Sequence, residues 1–193
     1  LSLYLFLIFF TLQTPSYADD IRDFQIEGMS VGDSLLDFFS EEEIKNKSKE
    51  ILYPDQDEIR TAFLLNEPTF NIYEGMQIHF RTNDKKFIII GMDAFIYFAD
   101  NFKGCKKKMK EIGLELKKNF NFNDELKSEG KHPGDETGKS KWSRISFFLK
   151  PNSERAEIEL ICYDNSKEFL FIDKLSVTIY GEEYKNFMKN YYK

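Results

Sequence analysis

From Ile59 onward apolar side chains return at every second position, and this period restricts the fold most, because a strand is what places alternate residues on opposite faces. Ile59, Thr61 and Phe63 alternate with Arg60 and Ala62, and Met76, Ile78 and Phe80 alternate with Gln77, His79 and Arg81. A credible tight turn at Asn83-Asp84 leads into the stretch Phe87 to Phe98, where Ile88, Ile90, Met92, Ala94, Ile96 and Phe98 give one continuous apolar face. That pattern predicts a central strand. Further on, Ile145, Phe147 and Leu149 share a face. So do Ala156, Ile158, Leu160 and Cys162 after a Pro151-Asn152 turn, and then Leu175, Val177 and Ile179. The links are short, which favours antiparallel pairing.

Elsewhere the period lengthens to that of a helix. Phe102, Cys105, Met109, Ile112, Leu116 and Phe120 recur at steps of three and four behind a cap at Asp100-Asn101. Lys103, Lys106, Lys107, Lys108 and Lys110 then point mostly away from the core. Ser30 followed by Asp33 reads as a capping box for a short helix with Leu35, Leu36, Phe38 and Phe39 as its buried stripe. Ser40 with Glu43 repeats the signature for a second helix running towards Lys49. Tyr184, Phe187, Met188 and Tyr191 give a C-terminal helix its docking face. Residues 121–141 are polar, contain Gly130, Gly134 and Gly138, and show no period, so a long loop is expected there. The expected class is α+β: an antiparallel sheet of about six strands covered by helices, with helix-then-three-strands occurring twice as two αβββ units, and a C-terminal helix.

The chain has 193 residues. Its first twelve, Leu1 to Leu12, are almost wholly apolar and uncharged, and Ser16-Tyr17-Ala18 supplies a small-x-small end. A run this short falls below the roughly twenty residues that span a bilayer, so residues 1–18 read as a cleavable export signal and 19–193 as a single domain. Net charge is −6 and the pI is about 5.1, which gives no electrostatic footprint for nucleic acid. Cys105 and Cys162 both fall on apolar faces. Export permits a disulfide between them, and two buried free thiols are the alternative.

Motifs that name chemistries lack their partners. Gly32-Asp33-Ser34-Leu35 spells the block of the GDSL hydrolases, in which the Ser attacks an ester. No long apolar strand precedes it and no D-x-x-H supplies a base, since Met76 stands at that spacing before His79 and Glu129 before His132. A serine hydrolase using Ser34 is the remote alternative. Gly138-Lys139-Ser140 resembles the end of a phosphate loop, but the first glycine is at position 134 instead of 133 and no apolar strand feeds the motif. His79 and His132 are the only histidines; no H-x-x-x-H or cysteine cluster accompanies them, and Asp55-x-Asp57-Glu58 lacks the glycine of a calcium loop. Neither metal nor cofactor is predicted.

The stretches IEGMSVGDSLLDFFSEEEI, MQIHFRTNDKKFIII, GDETGKSKW and ICYDNSKEF resemble a group of uncharacterised small exported proteins of marine alphaproteobacteria. The resemblance spans most of the mature chain. It implies export, and it implies no activity or site, because that group has no known one. The sequence therefore predicts a non-enzymatic binding or interaction module, periplasmic or secreted, whose partner is a cell-envelope protein or a small ligand. Its expected contacts are the outer sheet face at His79 and Arg81, or the long loop with His132, Asp135, Lys139 and Ser140. The alternative is a small-ligand carrier with an aromatic pocket.

Overall fold

The period of two becomes one large antiparallel sheet. The structure is a computed structural model that describes residues 20–48, 52–150, 157–169 and 171–191. The expected export signal at 1–18, the Pro151-Asn152 turn and Ala156 lie outside the described residues. In chain order the strands are β1 (Gln25–Ile26), β2 (Met29–Ser30), β3 (Ile59–Leu65), β4 (Gly75–Arg81), β5 (Gly91–Tyr97), β6 (Asp124–Lys131), β7 (Lys141–Phe148), β8 (Ile158–Asp164) and β9 (Lys174–Tyr180). The helices are α1 (Glu41–Lys47), α2 (Phe102–Asn119) and α3 (Glu182–Tyr191). Strands β1 and β2 form a small hairpin, and the remaining seven form one sheet in the order β3-β4-β5-β9-β8-β7-β6. Every neighbouring pair is antiparallel.

The sheet is two meanders joined at β5 and β9, which pair along their whole length from Gly91↔Tyr180 to Tyr97↔Lys174. The second meander has four strands after α2, so the expected pair of αβββ units is corrected to unequal halves. The extra strand is β6, eight residues that fall within the stretch 121–141 expected to be a long loop. β6 is an edge strand with neither face deeply covered, so nothing imposes an apolar alternation on it. Its charges, Asp124, Glu125, Lys127, Glu129 and Lys131, are what keeps a free edge from recruiting another strand.

One face of the sheet carries the main core: Ala62, Leu64, Met76, Ile78, Met92, Ala94, Ile145, Phe147, Ile158, Leu160, Cys162, Leu175, Val177 and Ile179. α2 lies across β7, β8 and β9 on this side. It buries Cys105, Met109 and Leu116 of the expected stripe together with Gly113, while Phe102 and Ile112 are partly buried against the same core. Asn101 caps it by accepting from the Gly104 amide at 2.9 Å. A disulfide joins Cys105 in α2 to Cys162 in β8, with Cα atoms 5.9 Å apart.

α1 packs on β3 behind the expected Ser40–Glu43 capping box. The earlier box is different: Asp33 accepts from the Ser30 amide, but the cap is Ser34 and the helix is a single 3-10 turn, Leu35–Asp37. The strand expected from Phe87 begins only at Gly91. Phe87 has φ +49°, and this break in the extended chain sends Ile89 into the main core and Ile90 to the opposite side.

That opposite side is the second correction to the alternation. α3 docks there through Tyr184, Phe187, Met188 and Tyr191, against Tyr53, Ile59 and Ile90. β3 is thereby covered on both faces, with Ala62 and Leu64 in one core and Ile59 at the other. Among the described residues, no helix is long and apolar enough to cross a membrane.

Candidate functional site

The register of the sheet orders the side chains of the α3 face into rows across the strands. Thr61, His79, Gly91 and Tyr180 form the row beneath α3. Gln77, Asp93, Thr178 and Glu159 form the next, and Phe95, Ser176 and Ile161 the one after. Tyr97, Lys174, Tyr163 and Trp142 form the last. α3 covers only the first row. Beyond it the face is open, and a cavity of about 360 Å³ lies over the remaining rows, walled by Phe169, Phe171 and His132. This is the lower end of the size range of small-ligand sites, and the lining follows their pattern of apolar walls with a few converging polar groups.

From the row beneath α3 to the edge of the cavity the polar groups are tied to one another. Thr61 Oγ1 is 2.9 Å from His79 Nδ1, His79 Nε2 is 2.9 Å from Asp93 Oδ2, and Thr178 Oγ1 donates to Asp93 Oδ1 at 2.5 Å. A carboxylate can only accept, so Nε2–H is the donor to Asp93. The order hydroxyl, imidazole, carboxylate is that of an activated nucleophile. However, His79 is 0% and Thr61 2% exposed, and the Tyr184 ring is stacked on the imidazole at 4.2 Å, so this hydroxyl is sealed from solvent. Tyr184 reaches that position because Gly91, His79's partner across β4 and β5, has no Cβ; one placed there would run into the tyrosine ring.

Over the cavity the polar groups are spare. Lys174 rests over the Phe95 ring, Nζ 5.0 Å from its centroid, and has no ion-pair partner among the described residues. Burial pushes its pKa below the ordinary lysine value, with the Asp93 charge opposing. Tyr163, directly across from Lys174 in β8, is pushed up to about 12 by burial and the nearby Asp93 and Glu159 charges. The Tyr163 hydroxyl, the Ser176 hydroxyl and the Gln77 amide make no side-chain hydrogen bond to a described residue, and all line the cavity. Tyr180 closes its inner end, its hydroxyl donating to Glu159 Oε2 at 3.1 Å; burial raises its pKa well above the usual range.

A larger hollow of about 530 Å³ lies between α1 and the β3–β4 hairpin. Its charged groups, Glu41, Lys45, Arg60, Asp84 and Lys85, are of both signs, and Glu41 is already paired with Lys45. No set of like groups converges there.

The structure separates the residues that the sequence put forward as contacts. His79 is not on an outward face: its strand parity is opposite to the main core, but α3 and Tyr53 form a second core over it. Arg81 is exposed and pairs with Glu183 of α3. His132 lies at the cavity wall, its ring 4.6 Å from that of Phe169.

Asp135, Lys139 and Ser140 belong to the connection between β6 and β7, residues 132–140, rather than to one loop spanning 121–141. The buried Asp135 carboxylate accepts from the Ser140 amide at 2.8 Å and its hydroxyl at 2.5 Å, and from the Thr137 amide and hydroxyl at 2.9 and 2.7 Å. Ser166 donates to it as well, at 3.1 Å. These bonds, those of Ser140 and Thr137 foremost, hold its carboxyl well below the usual carboxylate range. Lys139 pairs with Glu168. The connection is thus locked to the segment carrying Phe169 and keeps few polar groups for a partner. Ser34 is also spoken for, donating to the Lys86 carbonyl at 2.6 Å and capping Leu36.

Comparison with protein-family models, with curated proteins and with solved structures found no match. The site therefore stands on its own geometry. The residues that sequence reasoning missed are Gln77, Asp93, Phe95, Tyr163, Lys174 and Ser176. The available signal was the outward parity of β8 and β9, which carries Tyr163, Lys174, Ser176, Thr178 and Tyr180 in register; a solvent-facing sheet surface does not call for two tyrosines, a lone lysine and so few charges. Among the described residues no group of acids, histidines or cysteines is arranged to hold a metal.

Proposed function

We propose that this domain is a non-enzymatic binding module, periplasmic or secreted, that carries a small ligand in the cavity over β4, β5, β9 and β8. One observation carries the reading: Lys174, Tyr163, Ser176 and Gln77 face a walled cavity with none of their side-chain hydrogen-bonding capacity used by described residues. Their polar atoms open into the cavity, where a ligand can take up hydrogen bonds that no described side chain supplies. The sealed position of Thr61 argues for carriage over turnover, since no reacting atom can approach the hydroxyl that His79 would activate. Placement outside the cytoplasm is supported by the Cys105–Cys162 disulfide, a bond that persists in oxidising compartments, and by the apolar N-terminal stretch.

The reading is tested by native mass spectrometry of the exported protein purified without organic solvent, beside Ser176→Trp, whose indole would fill the cavity. Wild type is expected to carry a bound mass that dissociates on activation and that Ser176→Trp lacks. An identical adduct on both proteins, or a wild type that binds no member of a metabolite library while Ser176→Trp behaves identically, would overturn it.

A further inference from the structure

The ligand's chemical class can be read from the order of the rows. Along β9 the cavity runs from Lys174 through Ser176 to Thr178, a span of about 13 Å at the usual rise per strand residue. At one end stand an ammonium without an ion-pair partner among the described residues and, beside it, a phenol hydroxyl that no described side chain bonds, both donors. In the middle stand Phe95 and Ile161, with Phe169 and Phe171 above them. At the other end stands Asp93, whose two oxygens already accept from His79 and Thr178 and whose charge faces the cavity with a side chain 23% exposed. The site is therefore electrically polarised, positive at Lys174 and negative at Asp93, with an apolar waist.

Resting on the cavity reading above, we infer that the ligand is an amphiphilic organic monoanion, an acid with an aliphatic or aromatic body, bound with its acid group between Lys174 and Tyr163 and its body among Phe95, Ile161, Phe169 and Phe171. The Asp93 end repels a second negative charge and so excludes dianions of the same length. Lys174 supports this beyond its position. Half-buried, it has the Phe95 ring as a cation–π partner and, among the described residues, no carboxylate within ion-pair distance, so an anion would add a charge-assisted contact that the ring does not supply. A bound carboxylate or sulfonate would supply a charge-assisted hydrogen bond, and the Tyr163 hydroxyl would add a second.

The test uses two fluorescent probes of similar aromatic body, 8-anilinonaphthalene-1-sulfonate, an anion, and N-phenyl-1-naphthylamine, which is neutral. It adds two competitors of equal length, decanoate and decanedioate. With folding confirmed by unchanged circular dichroism and melting temperature, wild type is expected to bind the anionic probe at least tenfold more tightly than the neutral one. Decanoate should displace it and decanedioate should not. Lys174→Met is expected to weaken the anionic probe tenfold or more and leave the neutral one unchanged. Tyr163→Phe, which removes only an oxygen atom, is the milder variant and should weaken the anion several-fold.

If both probes bind equally, both are lost in Ser176→Trp, and neither Lys174→Met nor Tyr163→Phe separates them, the monoanion assignment is wrong while the cavity stands. If decanedioate competes as well as decanoate, the polarity argument is wrong. If Ser176→Trp leaves the binding of both probes unchanged, the cavity reading itself falls.

Discussion

The covalent tie between Cys105 and Cys162 allows a quantitative expectation. It closes a loop of 57 residues and fixes the first turns of α2 over β8, at a point where both cysteines are fully buried. In the chain-entropy treatment a loop of that size removes enough freedom from the unfolded chain to stabilise the fold by about 4 kcal/mol. For a domain of this length each kcal/mol corresponds to about 2–4 °C in melting temperature, so reduction should lower Tm by about 8–16 °C. Reduced wild type keeps both sulfur atoms in place and so isolates the crosslink. The double variant Cys105→Ala/Cys162→Ala adds a packing loss and should melt lower still. The assay is thermal unfolding followed by circular dichroism with and without a phosphine reductant, alongside a thiol titration. A fully reduced protein that melts within about 2 °C of the oxidised one would refute the reasoning that α2 is pinned by loop closure, and two titratable thiols in the untreated denatured protein would refute the bond.

Other consequences follow from the same contacts. Gly91→Ala puts a methyl group into the Tyr184 ring, so α3 must shift off His79; a loss of about 1–3 kcal/mol is expected by urea unfolding, and no loss would show that α3 does not seat there. Asp135 has a folded-state pKa depressed below the ordinary carboxylate value, so its contribution is present above about pH 4 and is lost as pH falls through the folded value. Asp135→Asn should destabilise at neutral pH and flatten the dependence of stability on pH below 4; parallel wild-type and variant curves down to about pH 2 would contradict it. Lys174 has a lowered pKa, and an anion needs it protonated, so affinity for the anionic probe should fall at a pH below that at which an ordinary lysine titrates. An affinity constant up to about pH 11 would count against lysine as the anchor.

The sequence was most legible where one surface had one job. α2 was readable because its six apolar residues face a single sheet, and α1 because Ser40 and Glu43 form a local, reciprocal pair of hydrogen bonds that depends on nothing distant. It was least legible where an element meets two environments or none. β6 meets almost none, so its side chains carry charge instead of period. β3 meets two cores, so Ile59 and Ala62 are buried on opposite faces and neither parity marks solvent. His79 belongs to the same difficulty: alternation placed it correctly opposite Met76, Ile78 and Phe80, but did not say that this face is covered.

The covering element was nonetheless visible in advance. The stripe Tyr184, Phe187, Met188 and Tyr191 needed a surface, and the face of β4 bearing His79 is the one it takes. The cavity is what remains of that face once α3 has covered its first row. Its polar lining comes from four strands far apart in sequence, so no local motif could announce it.

Backbone amide NMR during a titration with decanoate tests the central claim most directly. The account predicts saturable shifts concentrated at Gln77, Asp93 and Phe95, at Ile161 to Asn165 and at Lys174 to Thr178, with the largest change at Lys174 and Tyr163. Shifts confined to the α1 hollow around Lys45 and Lys85, or none that saturate, would contradict it.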